Sequence, residues 1–328
     1  MFYSISKIWK PEIFQGHGKK GDYFEGWYFK LVDVSQKNII AIIPGIFISK
    51  DPKYSHAFIQ ILNQSGKSNF IPFSSEQFWA SKKYFEIRIG ENIFRKDSID
   101  LKLTSNELMI KGHIRIENPT PWPVTLTSPG CMGWYAFAPF MECYHGIVSM
   151  DHTIHGRLNI NGKTIDFSDG RGYIEKDWGK SFPGSYIWIQ CNHFNKPGVS
   201  LSASVANVPW LRGSFLGFII GFLYKDVFYR FTTYSKAALQ NLKVEENRIN
   251  LTVVDNQFSL KINIEKGNGG YVFAPYEQQM QPIILQSLTG KVFIEFFKKE
   301  KDQQKLIFKG PANCAGVEMN GNLAEIQK

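Results

Sequence analysis

The chain has 328 residues, enough for one large domain or two of ordinary size. A charged share of 20% and a hydrophobic share of 43% exclude general disorder, and the aromatic share of 15% indicates a large core or an apolar cavity. The formal net charge is +9, but the basic residues are scattered, so we expect solvated surface charge and no nucleic-acid partner.

The sequence shows no targeting or membrane-spanning pattern. Residues 1–10 lack an apolar core of signal-peptide length, and the most apolar segment, 215–224, is about half the ~20 residues of a membrane helix. We therefore expect a cytoplasmic protein, with peripheral membrane contact left open. Reduced and mostly buried thiols are expected for all four cysteines, because no paired spacing relates them: Cys131, Cys143, Cys191 and Cys314.

Alternation of apolar and polar residues, typical of half-buried strands, recurs along the chain. The pattern predicts strands over 85–89, 110–117, 158–160, 165–167, 249–253 and 258–264. Further strands are expected over 26–34, 39–48, 57–62, 186–194, 199–206, 215–223, 227–234, 291–297 and 304–309. Asn161-Gly162 and Asp255-Asn256 fall between alternating runs and predict hairpins. Short helices are expected only near 74–80 and 235–240.

So many strands in series, joined by short turns, indicate an all-β protein built of antiparallel barrels or sandwiches. At about 150 residues per barrel, two domains fit, and we place them at 1–183 and 184–328. The first contains a proline-rich and aromatic loop, 118–145. Loops of that length without secondary structure are usually functional, so we expect a lid or a cavity wall.

The densest cluster of reactive side chains is Tyr173-Ile174-Glu175-Lys176-Asp177-Trp178-Gly179. A carboxyl group in an aromatic wall is disfavoured in its charged form and can hold a proton near neutral pH, which suits a proton donor. The alternative is structural: Glu175 pairs with Lys176 or Arg171 and pins two domains together.

Two further segments combine polar groups with aromatic residues. On the strand 186–192, one face carries Tyr186, Trp188, Gln190 and Asn192, which resembles a pocket lining but also fits an ordinary outward polar face. Glu25 lies among Tyr23, Phe24 and Trp27. It either donates a proton or accepts a hydrogen bond that fixes a domain junction.

Metal and nucleotide chemistry receive little support from the sequence. His152 and His155 have a spacing that suits a metal only on a helix, and their neighbours predict a strand, so hydrogen-bonding or proton-relay roles are favoured. A zinc site from Cys131, Cys143 and His145 is a lesser alternative. No nucleophile elbow, phosphate-binding loop or dinucleotide fingerprint occurs. We expect neither a metal nor a cofactor.

Three blocks of sequence resemble the tocopherol cyclase family: 23–30, 173–192 and 315–318. The block around Tyr173 and Glu175 is also similar to carotenoid 1,2-hydratases and related lipocalin-like proteins. The resemblance implies two lipocalin-like β-domains, with few short helices, around a hydrophobic tunnel. It also implies an acid that protonates a prenyl double bond. Asp177 stands where the plant enzymes typically have Asn, which leaves the substrate open.

The implied reaction is a cofactor-independent, acid-catalysed cyclisation of a prenylated quinol or related isoprenoid. Glu175 is the expected proton donor, Tyr173 its hydrogen-bond partner, and Asp177 either accepts the phenol proton or replaces Glu175 as donor. The expected substrate-binding residues are Trp178 and Trp188 around the cation, His145, Gln190 and Asn192 around the quinol head, and Glu25 and Trp27 from the first block. The alternatives are a carrier of a hydrophobic lipid and a hydratase or cyclase acting on another alkene.

Overall fold

The structure is a computed structural model that describes residues 7–210, 212–301 and 303–327. Strands make up 63% of it, and no helix of seven or more residues occurs in these ranges, which confirms the all-β prediction. The first six residues of the segment screened for a signal peptide lie outside the described residues. No helix in the described part of the chain is long and apolar enough to cross a membrane.

The chain divides into two compact units. One comprises the described residues up to Phe182 together with Tyr271–Ile283, and the other comprises Pro183–Gly270 and the described residues from Ile284 onward. The segment Tyr271–Ile283 therefore groups with the first unit, whereas the sequence analysis places it in the second domain.

The first unit is built on one antiparallel sheet of twelve strands. Their order across the sheet is β4-β3-β2-β1-β12-β10-β9-β8-β7-β6-β5, with β11 paired to β10. The strands are β1 (Tyr23–Val32), β2 (Ile39–Ile48), β3 (His56–Asn63), β4 (Ser68–Ser74), β5 (Phe78–Ala80), β6 (Glu86–Ile89), β7 (Asn92–Arg95), β8 (Ser98–Thr104), β9 (Met109–Glu117), β10 (Cys143–Ile160), β11 (Lys163–Asp166) and β12 (Gly170–Gly179).

The remaining strands form a second antiparallel sheet of eleven strands. Its order is β17-β16-β15-β13-β23-β22-β20-β19-β18, with β14 paired to β23 and β21 to β22. The strands are β13 (Tyr186–Cys191), β14 (His193–Phe194), β15 (Val199–Trp210), β16 (Gly213–Tyr224), β17 (Val227–Thr232), β18 (Ala238–Val244), β19 (Arg248–Val254), β20 (Phe258–Glu265), β21 (Gly269–Tyr276), β22 (Gln279–Glu300) and β23 (Gln303–Asn320). Short 3₁₀ turns cover Lys7–Trp9, Pro52–Tyr54, Ser75–Gln77, Gly133–Phe137 and Leu323–Glu325.

Both predicted hairpins are confirmed. Asn161 and Gly162 take φ angles of 51° and 84° between β10 and β11, as a two-residue turn with two left-handed positions requires. Between β19 and β20, the Asp255 carboxylate accepts hydrogen bonds from the backbone N–H groups of Gln257 (2.7 Å) and Phe258 (2.6 Å).

The short helix expected near 235–240 is wrong, because that segment leads into β18. Leu239 and Leu242 are both buried against the core of the second unit, and a register shift separates Leu239 from Asn241. A β-bulge adds one residue to a strand, so two apolar residues three apart can point to the same side. The expected loop 118–145 also ends earlier, since Tyr144 and His145 already belong to β10.

Each unit has its own hydrophobic core. In the first unit the core lies on one face of the sheet and includes Trp27 and Phe29 from β1 and Ile174 from β12. Neighbouring side chains of a strand point to opposite faces, so Tyr173 and Glu175 of β12 lie on the face opposite to Ile174 and this core.

Candidate active site

The candidate site lies on three neighbouring strands of the first unit, β1, β12 and β10. Glu175 of β12 is paired with Tyr28 of β1 and Ile147 of β10, while Asp177 is paired with Gly26 and His145. Directly paired residues of adjacent strands share a face, so all these residues project to one side of the sheet. We call it the acid face; it carries Phe24, Gly26, Tyr28, Lys30, Tyr173, Glu175, Asp177, His145 and Ile147.

Four titratable side chains form a row on the acid face. Tyr173 donates its hydroxyl proton to Glu175 Oε2 at 2.6 Å. His145 Nδ1 lies 2.8 Å from Asp177 Oδ1, and His145 Nε2 lies 3.8 Å from Glu175 Oε2. The exposed fractions of the side chains are 5% for Glu175, 12% for His145 and 21% for Asp177. The row therefore runs from a closed end at Tyr173 to a more open end at Asp177.

This row can both give and take a proton. The contact of His145 Nδ1 with Asp177 Oδ1 orients the imidazole ring and turns Nε2 toward Glu175. The 3.8 Å separation is too long for a direct hydrogen bond, yet it is within ion-pair distance when His145 is protonated. His145, which we expected near a quinol head, thus lies between the two acids.

Two thiols lie beside this row. Cys131 donates its thiol to the backbone oxygen of His145 at 3.0 Å, and the Cys143 sulfur lies 4.0 Å from Asp177 Oδ1. Burial raises the pKa of both thiols and so favours their protonated form. The atoms able to hold a cation belong instead to His145, Glu175 and Asp177, whose ligand atoms lie within 4.8 Å of one another.

The opposite face of β12 carries a buried ion pair. Lys176 Nζ lies 2.5 Å from Glu25 Oε1, and both side chains are fully buried. Lys176 also donates to the backbone oxygens of Pro11 and Ile13, each at 2.7 Å. The ion pair of Lys176 is thus made with Glu25 and that of Arg171 with Asp151, in place of the expected pairing of either cation with Glu175.

Glu25, Trp27 and Trp178, expected near a substrate, lie on this opposite face. Glu25 accepts hydrogen bonds from the backbone of Gln15 (2.9 Å) and Gly16 (3.0 Å), both within the first unit, and its role at a domain junction stays a prediction. Trp27 is fully buried in the core, and the Trp178 ring lies 4.5 Å from Lys176 Nζ. Successive side chains of a strand point to opposite faces, and each of these three residues directly follows or precedes a residue of the acid face in the sequence.

The second unit holds the other expected substrate-binding residues. Trp188 and Gln190 lie on β13, and Asn192 follows it; they are 5%, 0% and 1% exposed, so this is not an outward polar face. Trp188 is paired with Glu318 of β23, which accepts a hydrogen bond of 2.8 Å from the Tyr186 hydroxyl. The substrate-binding roles of Trp188, Gln190 and Asn192 stay predictions.

Sequence reasoning missed three residues of the acid face. Tyr28 is paired with Glu175, Lys30 with Tyr173 and Gly26 with Asp177. Tyr28 is 6% exposed and Lys30 fully buried. All three lie in the first block of the family resemblance, but only the pairing of β1 with β12 shows that this block lies beside the acids.

Comparisons with known proteins bear on the family of this chain. The family model described as tocopherol cyclase-like matches residues 101–321. The chloroplastic tocopherol cyclase of Zea mays is 26% identical over 205 residues, covering 58% of this chain and 41% of that protein. A probable chloroplastic tocopherol cyclase of Oryza sativa subsp. japonica is 26% identical over 214 residues, covering 60% and 44%. The matches thus span less than half the length of these relatives.

Solved structures share the fold at low identity. CghA with Sch210972 has a TM-score of 0.55 at 8% identity, covering 91% of this chain and 89% of that one. A Nitrosomonas europaea protein assigned provisionally as an AttH has a TM-score of 0.52 at 10% identity, covering 90% and 92%. These likenesses confirm the lipocalin-like fold class. With its family model matched over most of the chain, this protein belongs to the tocopherol cyclase-like family.

Proposed function

We propose that this protein is an acid-catalysed cyclase that adds a phenol oxygen to the prenyl double bond of a prenylated quinol or a related isoprenoid. The observation that carries the proposal is the buried row Tyr173, Glu175, His145 and Asp177 on the acid face. Such a reaction needs a carboxylic acid that reaches an alkene and a base that takes up the phenol proton. The row contains both kinds of group within one hydrophobic surrounding.

The proton donor in this proposal is Glu175. Tyr173 donates to Oε2, so the other oxygen, Oε1, carries the transferable proton. Transfer of that proton to the alkene breaks the π bond and leaves a tertiary carbocation beside the Glu175 carboxylate. Burial of the acid at 5% exposure keeps bulk water from capturing the cation.

The proton acceptor is the His145–Asp177 pair. The phenol oxygen attacks the carbocation and forms the C–O bond, and its proton passes to His145 or Asp177. Because His145 Nε2 faces Glu175 and Nδ1 faces Asp177, the imidazole can return a proton to Glu175 and complete the cycle. The product is an isomer of the substrate, and no electrons leave or enter.

The family membership supports the substrate class. Both relatives described above are named as tocopherol cyclases, the second as a probable one. The apolar cluster on the acid face, formed by Phe24, Phe47 and Phe58, suits a hydrocarbon chain.

The test is turnover of a prenylated benzoquinol in D₂O by the purified chain. The expected product has a cyclic ether, elutes apart from the quinol and gains one carbon-bound deuterium at the protonated alkene carbon. Glu175→Gln should lower the rate by at least about 100-fold, the usual contribution of general acid catalysis. Glu86→Gln is the matched control, since Glu86 is another buried carboxylate of the same sheet, paired with Arg88 and Arg95.

Near wild-type turnover by Glu175→Gln contradicts the assignment of the proton donor. A lipid that returns unchanged, bound equally well by wild type and Glu175→Gln, contradicts the cyclase and supports a carrier. A product heavier than the substrate by one water supports a hydratase, in which water replaces the phenol as nucleophile.

A further inference from the structure

We infer that the space above Gly26 is the subsite for the reacting alkene carbon, and that the size of residue 26 sets which substituted alkenes reach the acids. The inference rests on the proposed function and adds a specificity-determining position to it. Gly26 lies on β1 in the middle of the acid face, paired with Asp177 on one side and with Gly45 of β2 on the other.

Two paired glycines of this face differ in what surrounds them. A Cβ atom added at Gly45 would lie 2.4 Å from the ring of Phe58 and 2.7 Å from the backbone oxygen of Glu25. The Phe58 ring thus occupies the place of a side chain at position 45. A Cβ atom added at Gly26 would meet only Ile43 Cγ2 at 3.7 Å and Pro44 O at 3.9 Å within 4 Å, which are ordinary contacts.

A glycine inside a strand needs a reason, because it destabilises the strand by roughly 0.5–1 kcal/mol relative to alanine. At Gly45 the reason is the close approach of Phe58. At Gly26 neither crowding nor a left-handed φ angle explains the residue, since an alanine fits and the backbone is extended. A strand glycine without such a cause often marks a place where a ligand comes close to the backbone.

The surroundings of this space suit an unsaturated carbon. Asp177 borders it across β12 with 21% of its side chain exposed, so a ligand atom can approach the carboxylate. The neighbours along β1 on the same face are Phe24 and Tyr28, and Phe58 closes the side toward β3. Aromatic faces stabilise a nearby cation by an electrostatic attraction that needs no counter-ion. The alkene carbon that becomes cationic when Glu175 protonates its neighbour would find both the Asp177 carboxylate and aromatic faces here.

The experiment fills the space in steps with Gly26→Ala and Gly26→Val. We expect kcat/KM for a quinol with a trisubstituted alkene to fall about tenfold or more with alanine, the usual effect of one methyl group in an apolar pocket, and further with valine. A quinol whose alkene lacks the terminal methyl groups should lose much less, so the ratio of the two kcat/KM values shifts toward the smaller substrate. That shift is a readout that general damage to the fold does not produce.

Two glycine controls accompany these variants. Gly213→Ala, on β16 of the second unit with no atom within 4 Å of the added Cβ, should change neither kcat/KM nor the unfolding midpoint. Gly45→Ala should lower the unfolding midpoint, whereas Gly26→Ala should keep or raise it.

The outcomes separate this inference from the proposed function. If the wild-type protein is active and Gly26→Val has the same kcat/KM as the wild type for both quinols, the subsite is overturned and the proposed cyclase function is not. If the wild-type protein does not turn over the quinol, the proposed cyclase function is overturned. Binding of the prenylated quinol then tests the subsite. Unaltered binding by Gly26→Val overturns the subsite as well, and weakened binding supports the subsite. Destabilisation of Gly26→Ala equal to that of Gly45→Ala shows that no space exists and overturns the inference.

Discussion

Replacing Lys176 by methionine tests what holds β12 in place behind the acid face. The ammonium group contacts three acceptors: Glu25 Oε1 at 2.5 Å and the backbone oxygens of Pro11 and Ile13 at 2.7 Å. Methionine has a similar length and fills the space beside the rings of Trp27 and Trp178, but it donates no hydrogen bond. The change therefore removes the charge and the bonds with little change in packing volume.

The expected loss is about 3–5 kcal/mol in the free energy of unfolding. Removing one partner of a buried ion pair typically costs this much, because the other charge stays buried. Glu25 keeps the backbone N–H groups of Gln15 and Gly16 and the hydroxyl of Tyr23 as donors, which moderates the loss. The carbonyls of Pro11 and Ile13 lose a donor, and each unsatisfied buried acceptor costs about 1–3 kcal/mol.

The assay is urea unfolding followed by tryptophan fluorescence, since Trp27 and Trp178 have ring centres 5.0 Å and 4.5 Å from Lys176 Nζ. Glu25→Gln and the double variant complete a mutant cycle. The double variant should be less destabilised than the sum of the single variants, by about 0.5–3 kcal/mol. The role of the buried ion pair is refuted if Lys176→Met lowers the free energy of unfolding by less than about 1 kcal/mol and the effects of the two single variants add up in the double variant.

Two further predictions concern the back of β12. Burial, reinforced by the charge of Arg171, lowers the pKa of His152 from 6.5 to about 3, so the unfolded chain binds one more proton between these values. The free energy of unfolding should therefore fall by up to about 1.4 kcal/mol per pH unit as the pH drops from 6.5 toward 3. Acid unfolding of His152→Gln should lack this contribution. Identical pH profiles of the wild type and the variant contradict the prediction. Gly172→Ala places a Cβ atom 2.2 Å from His152 Nε2 and should cost about 1–3 kcal/mol in chemical unfolding, while Gly184→Ala, with no atom within 4 Å, should cost little.

Local sequence patterns were sufficient for many strands of this protein and for both predicted hairpins, but strands such as β4, β8 and β21 were not predicted. The apolar run 39–48 coincides with β2, and Asn161-Gly162 forms a two-residue turn in which both residues have positive φ angles. These features depend on residues close in sequence. The helix expected at 235–240 falls where β18 begins, and a register shift between Leu239 and Asn241 interrupts the period of two in that strand.

The pairing of strands that are distant in the sequence could not be predicted from local patterns. β1 lies next to β12 although most of the first unit separates them in the chain, and this register brings Tyr28 and Gly26 to the acids. Alternation along β12 alone places Tyr173, Glu175 and Asp177 on one face. The same rule assigns Trp178 to the other face, so its grouping with Glu175 followed proximity in sequence and neglected the period of the strand.

That alternation also explains how a lysine can stand between two acids without neutralising either. On a strand, Lys176 points away from both Glu175 and Asp177, toward Glu25 and the backbone of residues 11–13. If the segment were helical, consecutive side chains would be only about 100° apart around the axis, and Lys176 would not point directly away from both acids. The extended backbone therefore keeps two charge systems apart: an ion pair that anchors β12 on one face, and a proton-carrying row with His145 on the other. This separation predicts that Lys176→Met acts on stability before it acts on the chemistry of Glu175.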